Sequence, residues 1–278
     1  MTKQMIYVLL GILISAGLSI AAKTRASADT SSRDPDRPAT MSGELYHPSS
    51  DPMADLAAKL ASARAGNKRL LVVLGANWCH DSRALATRLN TAPLSAVIDA
   101  GYETLFVDVG YLDKGRDVIA SLGVPVYYAT PTVLIVDPAS GRVINLHNRH
   151  QWAQAASISM DTSVEYFSQF ANAGQTGMQA EENAYLQTLL TEIAVFEQAQ
   201  AERLYRAYAV VGPMLKAYKE GDEAAFSDQL WNEVRDYRFK VPDDLESLRV
   251  VARERVAAGE TGIELVYPVY PAFSWERQ

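Results

Sequence analysis

The chain has 278 residues, 48% hydrophobic and 21% charged, proportions of a globular protein that exclude disorder throughout. With 16 Gly and 12 Pro it is neither collagen-like nor low-complexity, and a formal charge of -7 argues against a general affinity for nucleic acid, which needs a surplus of Lys and Arg. Its one cysteine, Cys79, rules out an internal disulfide.

Residues 1–28 read as an export signal: Lys3, an apolar run from Met5 to Ala22, then Ala26-Ser27-Ala28 as a small-x-small cleavage site. The competing reading is an uncleaved anchor, since roughly 17 to 25 apolar residues suffice to span a bilayer. Either reading places the rest of the chain outside the cytoplasm, periplasmic or secreted. Residues 29–50 are rich in Ser, Asp and Pro and poor in aliphatics, so they read as a disordered tether.

Periodicity begins after the tether. Met53, Leu56, Leu60 and Ala63 share a helical stripe, and Leu70 to Leu74 form an apolar run of buried-strand length. Ser82 to Leu89 reads as a helix, Thr104 to Val109 as a second strand, and Lys114 to Leu122 as a short helix closed by Gly123. Thr132–Val136 and Arg142–Leu146 read as strands joined by an Asp-Pro-Ala-Ser-Gly turn, and Asp161–Asn172 as a closing helix with Val164, Phe167 and Phe170 inward. Buried strands alternating with helices before a terminal hairpin specify an α/β fold with a mixed sheet.

Ala173 to Gly177 reads as the boundary between a domain at 51–173 and an all-α domain at 178–278. In the latter, Leu186, Leu190, Ile193, Phe196, Leu204, Tyr208 and Val211 step by three or four, with a gap at Gln200. Gly212-Pro213 is expected to break that helix, Asp222 to cap a second carrying Phe226, Leu230 and Val234, and Pro242 to start a third. From Met178 onward there are 18 acids against 11 bases, so the net acidity of the chain lies in this half.

The chemistry concentrates at Gly75-Ala-Asn-Trp-Cys-His-Asp-Ser82, where the first strand runs out. A cysteine opening a helix faces free backbone N–H groups and the positive end of the helix dipole, an arrangement that favours a thiolate. Ser82, three residues on, is placed to bring its hydroxyl to the sulfur. His80 pulls towards the thiolate when protonated and Asp81 against it, which leaves the net direction open. Pro131, in Thr130-Pro131-Thr132 before a buried strand, is expected to be cis. His147 and His150 form an H-x-x-H that could join Cys79 in a soft metal site; two histidines in a polar loop are more often simply solvated, so no metal and no cofactor is assigned.

Trp78-Cys79-His80-Asp81-Ser82 after a strand, with Thr130-Pro131-Thr132 before the hairpin, resembles the thioredoxin superfamily, and exported thioredoxin-like proteins in particular. The resemblance covers roughly residues 53–172 and implies a thioredoxin-like fold, a mixed sheet flanked by helices, here followed by a C-terminal all-α domain. It implies a peptide groove shaped by Trp78, His80 and Pro131, with Thr130 pairing to the substrate backbone and Cys79 and Ser82 at the catalytic position. Two departures bear on function. Ser82 replaces the second cysteine of Cys-x-x-Cys, so no resolving thiol is present, and Val73 stands where reducing members keep a buried acid. The expected activity is therefore monothiol disulfide exchange with client proteins bearing thiols or disulfides, assisted by an external thiol reductant, with a protein partner for the helical domain and no nucleic acid. The alternatives are a non-catalytic binding or chaperone module and, from architecture alone, a thiol transferase.

Overall fold

The computed structural model describes residues 45–172 and 183–277 of the chain. The expected signal segment, most of the expected tether and the boundary at Ala173 to Gly177 lie outside the described residues. Helix α1 (Pro52–Ala65) starts where Asp51 accepts the Ala54 N–H at 2.9 Å with a proline at its first position, which satisfies one free donor and costs none. Strand β1 (Arg69–Gly75) leads to α2 (His80–Leu89), α3 (Leu94–Gly101), β2 (Tyr102–Asp108), α4 (Arg116–Ser121), β3 (Thr132–Asp137), β4 (Arg142–Val143) and α5 (Met160–Asn172).

The sheet runs β2-β1-β3-β4, with β1 parallel to β2, antiparallel to β3, and β4 antiparallel to β3. Alternate residues of β1 serve its two faces. Leu71 and Val73 meet Leu85, Ala86, Leu89 and Phe167, while Leu70, Val72 and Leu74 meet Leu56, Val118 and Ile119. A strand buried on both faces must read as a continuous apolar run, as Leu70 to Leu74 does.

In the sheet half four features depart from the expectations, the first being helix α3, where no element was expected. The second hairpin strand ends at Val143 because Asn145 does the pairing by side chain, accepting from Ile135 N at 2.8 Å and donating to Val133 O at 2.9 Å. Residues 149–157 form a 3₁₀ segment whose Trp152 is fully buried, where a polar loop was expected. The tether does not extend to Ser50: Tyr46 is fully buried against Phe106, and its ring lies where a side chain on Gly75 would be.

Among the described residues the helical half is two long helices with a tail, not the three expected. Helix α6 (Ala184–Lys219) runs through Pro213, and α7 (Asp228–Ala257) runs through Pro242. Proline lacks a donor and crowds the preceding turn. Burial outweighs that penalty here, since Val234, Tyr237, Val241, Leu245, Leu248 and Ala252 make one unbroken buried stripe across Pro242. Before Pro213, Gly212 has no Cβ to clash with the proline ring. Ser227, rather than Asp222, caps α7 by accepting from Leu230 N. The stripes of α6 and α7 join Leu70, Val72 and Leu74 in one apolar cluster, and the described residues fall in one compact unit.

Candidate active site

The corner after β1 is built by backbone and side-chain pinning. Asn77 accepts from the backbone N–H of Leu45 and of Tyr46, both at 3.0 Å, and donates to Tyr46 O at 2.7 Å. Tyr46 donates its hydroxyl to Ser82 O at 3.2 Å, so the end of the supposed tether locks the first turn of α2. Burial and the neighbouring Cys79 push the Tyr46 phenol well above its ordinary range, and it stays a neutral donor. Sequence reading missed Tyr46. The signal was slight, a single Leu-Tyr pair in a Ser- and Pro-rich stretch.

Cys79 occupies the N-cap of α2, partly exposed. Its thiol does not cap the helix. Instead Sγ donates to Thr130 O at 3.1 Å and lies 3.5 Å from the Thr130 hydroxyl. The Thr130–Pro131 peptide is cis, as its context anticipates. The structure thus brings Cys79, Thr130 and Pro131 together from two separate stretches of chain.

Ser82 does not play its expected part. Its side chain is 0% exposed and Oγ has no hydrogen-bond partner, so the hydroxyl on the sulfur is that of Thr130. The reason is rotational: three residues into the helix, Ser82 turns beneath the corner toward Tyr46 while the Cys79 thiol turns outward. His80 is exposed at the first position of α2, and Asp81 is engaged elsewhere, accepting from Ala156 N at 2.9 Å. Trp78 donates Nε1 to Gly110 O at 2.7 Å and stacks on Tyr111 with ring centres 6.3 Å apart. Val73, in the position of the buried acid, is fully buried among apolar neighbours.

The histidine pair is not a solvated loop. His147 is exposed, whereas His150 is half-buried against the Tyr128 ring. Burial, then Arg149 and Arg249, hold the His150 imidazole neutral and push its pKa down to about 3. Among the described residues, no three His, Cys, Asp or Glu side chains gather as a metal site would require.

Helical residues reach the loop that leads into the site. Tyr208 donates to Tyr127 O at 2.8 Å and Arg238 to Tyr128 O at 2.6 Å, fixing the carbonyls just upstream of Thr130. Glu197 of α6 is 5% exposed and bridges Arg149, itself 4% exposed, and Arg249. Tyr208 was placed on the apolar stripe from sequence, but Glu197, Arg149, Arg238 and Arg249 were not singled out, because a charged residue has no mark of burial until its partner is placed.

A four-stranded mixed sheet and a cysteine heading the helix after the first strand, hydrogen-bonded to the carbonyl before a cis-proline, make a thioredoxin-like domain. Residues 51–138 match the thioredoxin-like family model. Among solved structures, the disulphide isomerase from Xylella fastidiosa Temecula1 is similar, with 28% identity over 45% of this chain and 94% of that one and a TM-score of 0.42. Comparison with curated protein sequences found no significant match.

Proposed function

We propose that this protein is an exported monothiol exchange protein acting on client disulfides. The observation that carries the reading is the partly exposed Cys79 thiol at the head of α2, 3.1 Å from the carbonyl before the cis-proline. The Cys79 thiolate attacks one sulfur of a client disulfide; a Cys79–client disulfide forms, the client S–S bond breaks, and the departing sulfur takes a proton. An external thiol then attacks the client sulfur of that mixed disulfide, leaves with the client as a new disulfide, and returns Cys79 to its thiol. Forming the mixed disulfide removes the S–H proton, so Thr130 O becomes free to accept a backbone N–H from the client. Trp78, His80 and Pro131 border the groove.

The test is covalent trapping in the native compartment. Wild-type protein is expected to yield reductant-sensitive adducts that Cys79→Ser does not; equal recovery from both overturns the exchange reading. Mass measurement of the native protein is expected to show a chain beginning at Asp29, and a full-length soluble cytoplasmic species overturns export. A second reading, a binding module without thiol chemistry, is favoured by the single cysteine, since no second thiol within the chain can release a covalently held client. An intact biological role in Cys79→Ser selects it.

A further inference from the structure

A cleft of about 930 Å³ separates the Trp78 corner from helix α6. Trp78 and Tyr111 line one side, Tyr205, Tyr208 and Gly212 the other, with Tyr127 among the lining residues. Cys79 and Thr130 do not line it, but their chain neighbours do: Trp78 precedes Cys79, and Tyr127 lies three residues before Thr130, whose carbonyl accepts the Cys79 proton. The far wall belongs to α6, outside the stretch that matches the thioredoxin-like family. Its proximity depends on Gly212, where a Cβ would stand 2.4 Å from Tyr111 O.

We infer that this cleft is a specificity site that seats an aromatic or large aliphatic side chain of an extended client polypeptide, close to the cysteine it presents to Cys79. The placement of that cysteine rests on the exchange reading; the cleft's preference for an apolar peptide side chain does not. Three features select this occupant. Aromatic walls offer edges and faces to another ring. The cations at the rim are already matched, Arg116 to Glu202, Lys114 to Asp108 at 3.9 Å and Lys216 to Glu220 at 3.9 Å, so a polyanion finds no surplus charge. The volume stands near the top of the roughly 300 to 1,000 Å³ of small-molecule pockets, so a short thiol would leave most of the wall uncovered.

The experiment measures fluorescence anisotropy of labelled octapeptides without cysteine, one with a central Phe and one with Ser in its place. The Phe peptide is expected to bind about tenfold more tightly, the factor that part-burial of one aromatic side chain supplies. Ala209→Trp, at an exposed position lining the cleft, is expected to remove that preference with the unfolding midpoint unchanged; Tyr111→Ala, on the opposite wall, is expected to do the same if the first variant is unstable. Equal binding of the two peptides, no binding of either, or a preference that survives both substitutions overturns the inference. Reaction of Cys79 with glutathione disulfide, followed in parallel, reads the exchange reading by itself. Its absence alongside an intact Phe preference sinks the exchange reading and leaves the cleft standing, whereas normal reaction with no preference does the reverse.

Discussion

The sheet half and the junction where the helical half meets it differ in what adds to apolar packing. Around the sheet, cohesion is apolar: β1 is buried on both faces, and the layers of α2, α3 and α5 on one side and α1 and α4 on the other close over it. Where the helical half meets the sheet half, buried charge appears, with Glu197 bridging Arg149 and Arg249, and Arg238 on the Tyr128 carbonyl. Apolar burial is non-directional and sets a layer's presence more than its angle. Buried ionic and hydrogen-bonded contacts are directional, so they fix how α6 and α7 stand against the loop that carries Thr130. The chemistry thus sits in one half and its orientation is controlled from the other.

Removing the central carboxylate is expected to break this arrangement most severely. Glu197→Gln leaves the buried Arg149 guanidinium and the partly exposed Arg249 guanidinium without a counter-charge and should cost about 3–5 kcal/mol, read as a lowered denaturant midpoint. A loss below about 1 kcal/mol would mean that apolar packing alone holds the junction. Tyr208→Phe leaves the buried Tyr127 carbonyl without its donor and should cost about 1–3 kcal/mol. If cost and peptide binding are both unchanged, the helical half does not set the loop.

Acid should weaken the same junction through His150. Its folded pKa is depressed from 6.5 to about 3, so the fold favours the neutral imidazole. That contribution is complete above pH 6.5 and is lost as the pH falls toward 3, by about 1.4 kcal/mol at pH 5.5. Unfolding midpoints at pH 7.5 and 5.5 should diverge in wild type and much less in His150→Gln. The smallest stability effect belongs to the sheet half. Ser82→Cys replaces a buried, unpartnered hydroxyl and should shift stability by less than about 1.5 kcal/mol. Positions 79 and 82, cap and first turn of one helix, are within the reach of a disulfide, so the variant should oxidise to an internal pair. A folded variant that stays reduced, by mass after mild oxidation, would show that the outward turn of Cys79 toward Thr130 persists.

Much of the sheet half was legible because its signals are local. Leu70 to Leu74 announces a two-faced strand, and Trp78-Cys79 with Thr130-Pro131 marks the two loops that meet at the site. Residues without a local mark were missed. Tyr46 is one aromatic in a polar stretch, and its burial depends on Gly75 and Asn77 being brought beneath it. Ser82 was given the hydroxyl that touches the sulfur, although spacing in a helix does not decide which way an N-cap side chain rotates.

Sequence by itself determined the order of the strands along the chain and the single thiol at a helix start, since each depends only on near neighbours in the chain. Tertiary structure decided the rest. Pro213 and Pro242 read as breaks because a proline's local cost is visible in sequence, while the burial that outweighs it comes from contacts across the fold. The Arg149–Glu197–Arg249 bridge, the clamp on Tyr127 and Tyr128, and the cleft walled by α6 join residues far apart in the chain, and a contact of that kind has no periodicity to betray it.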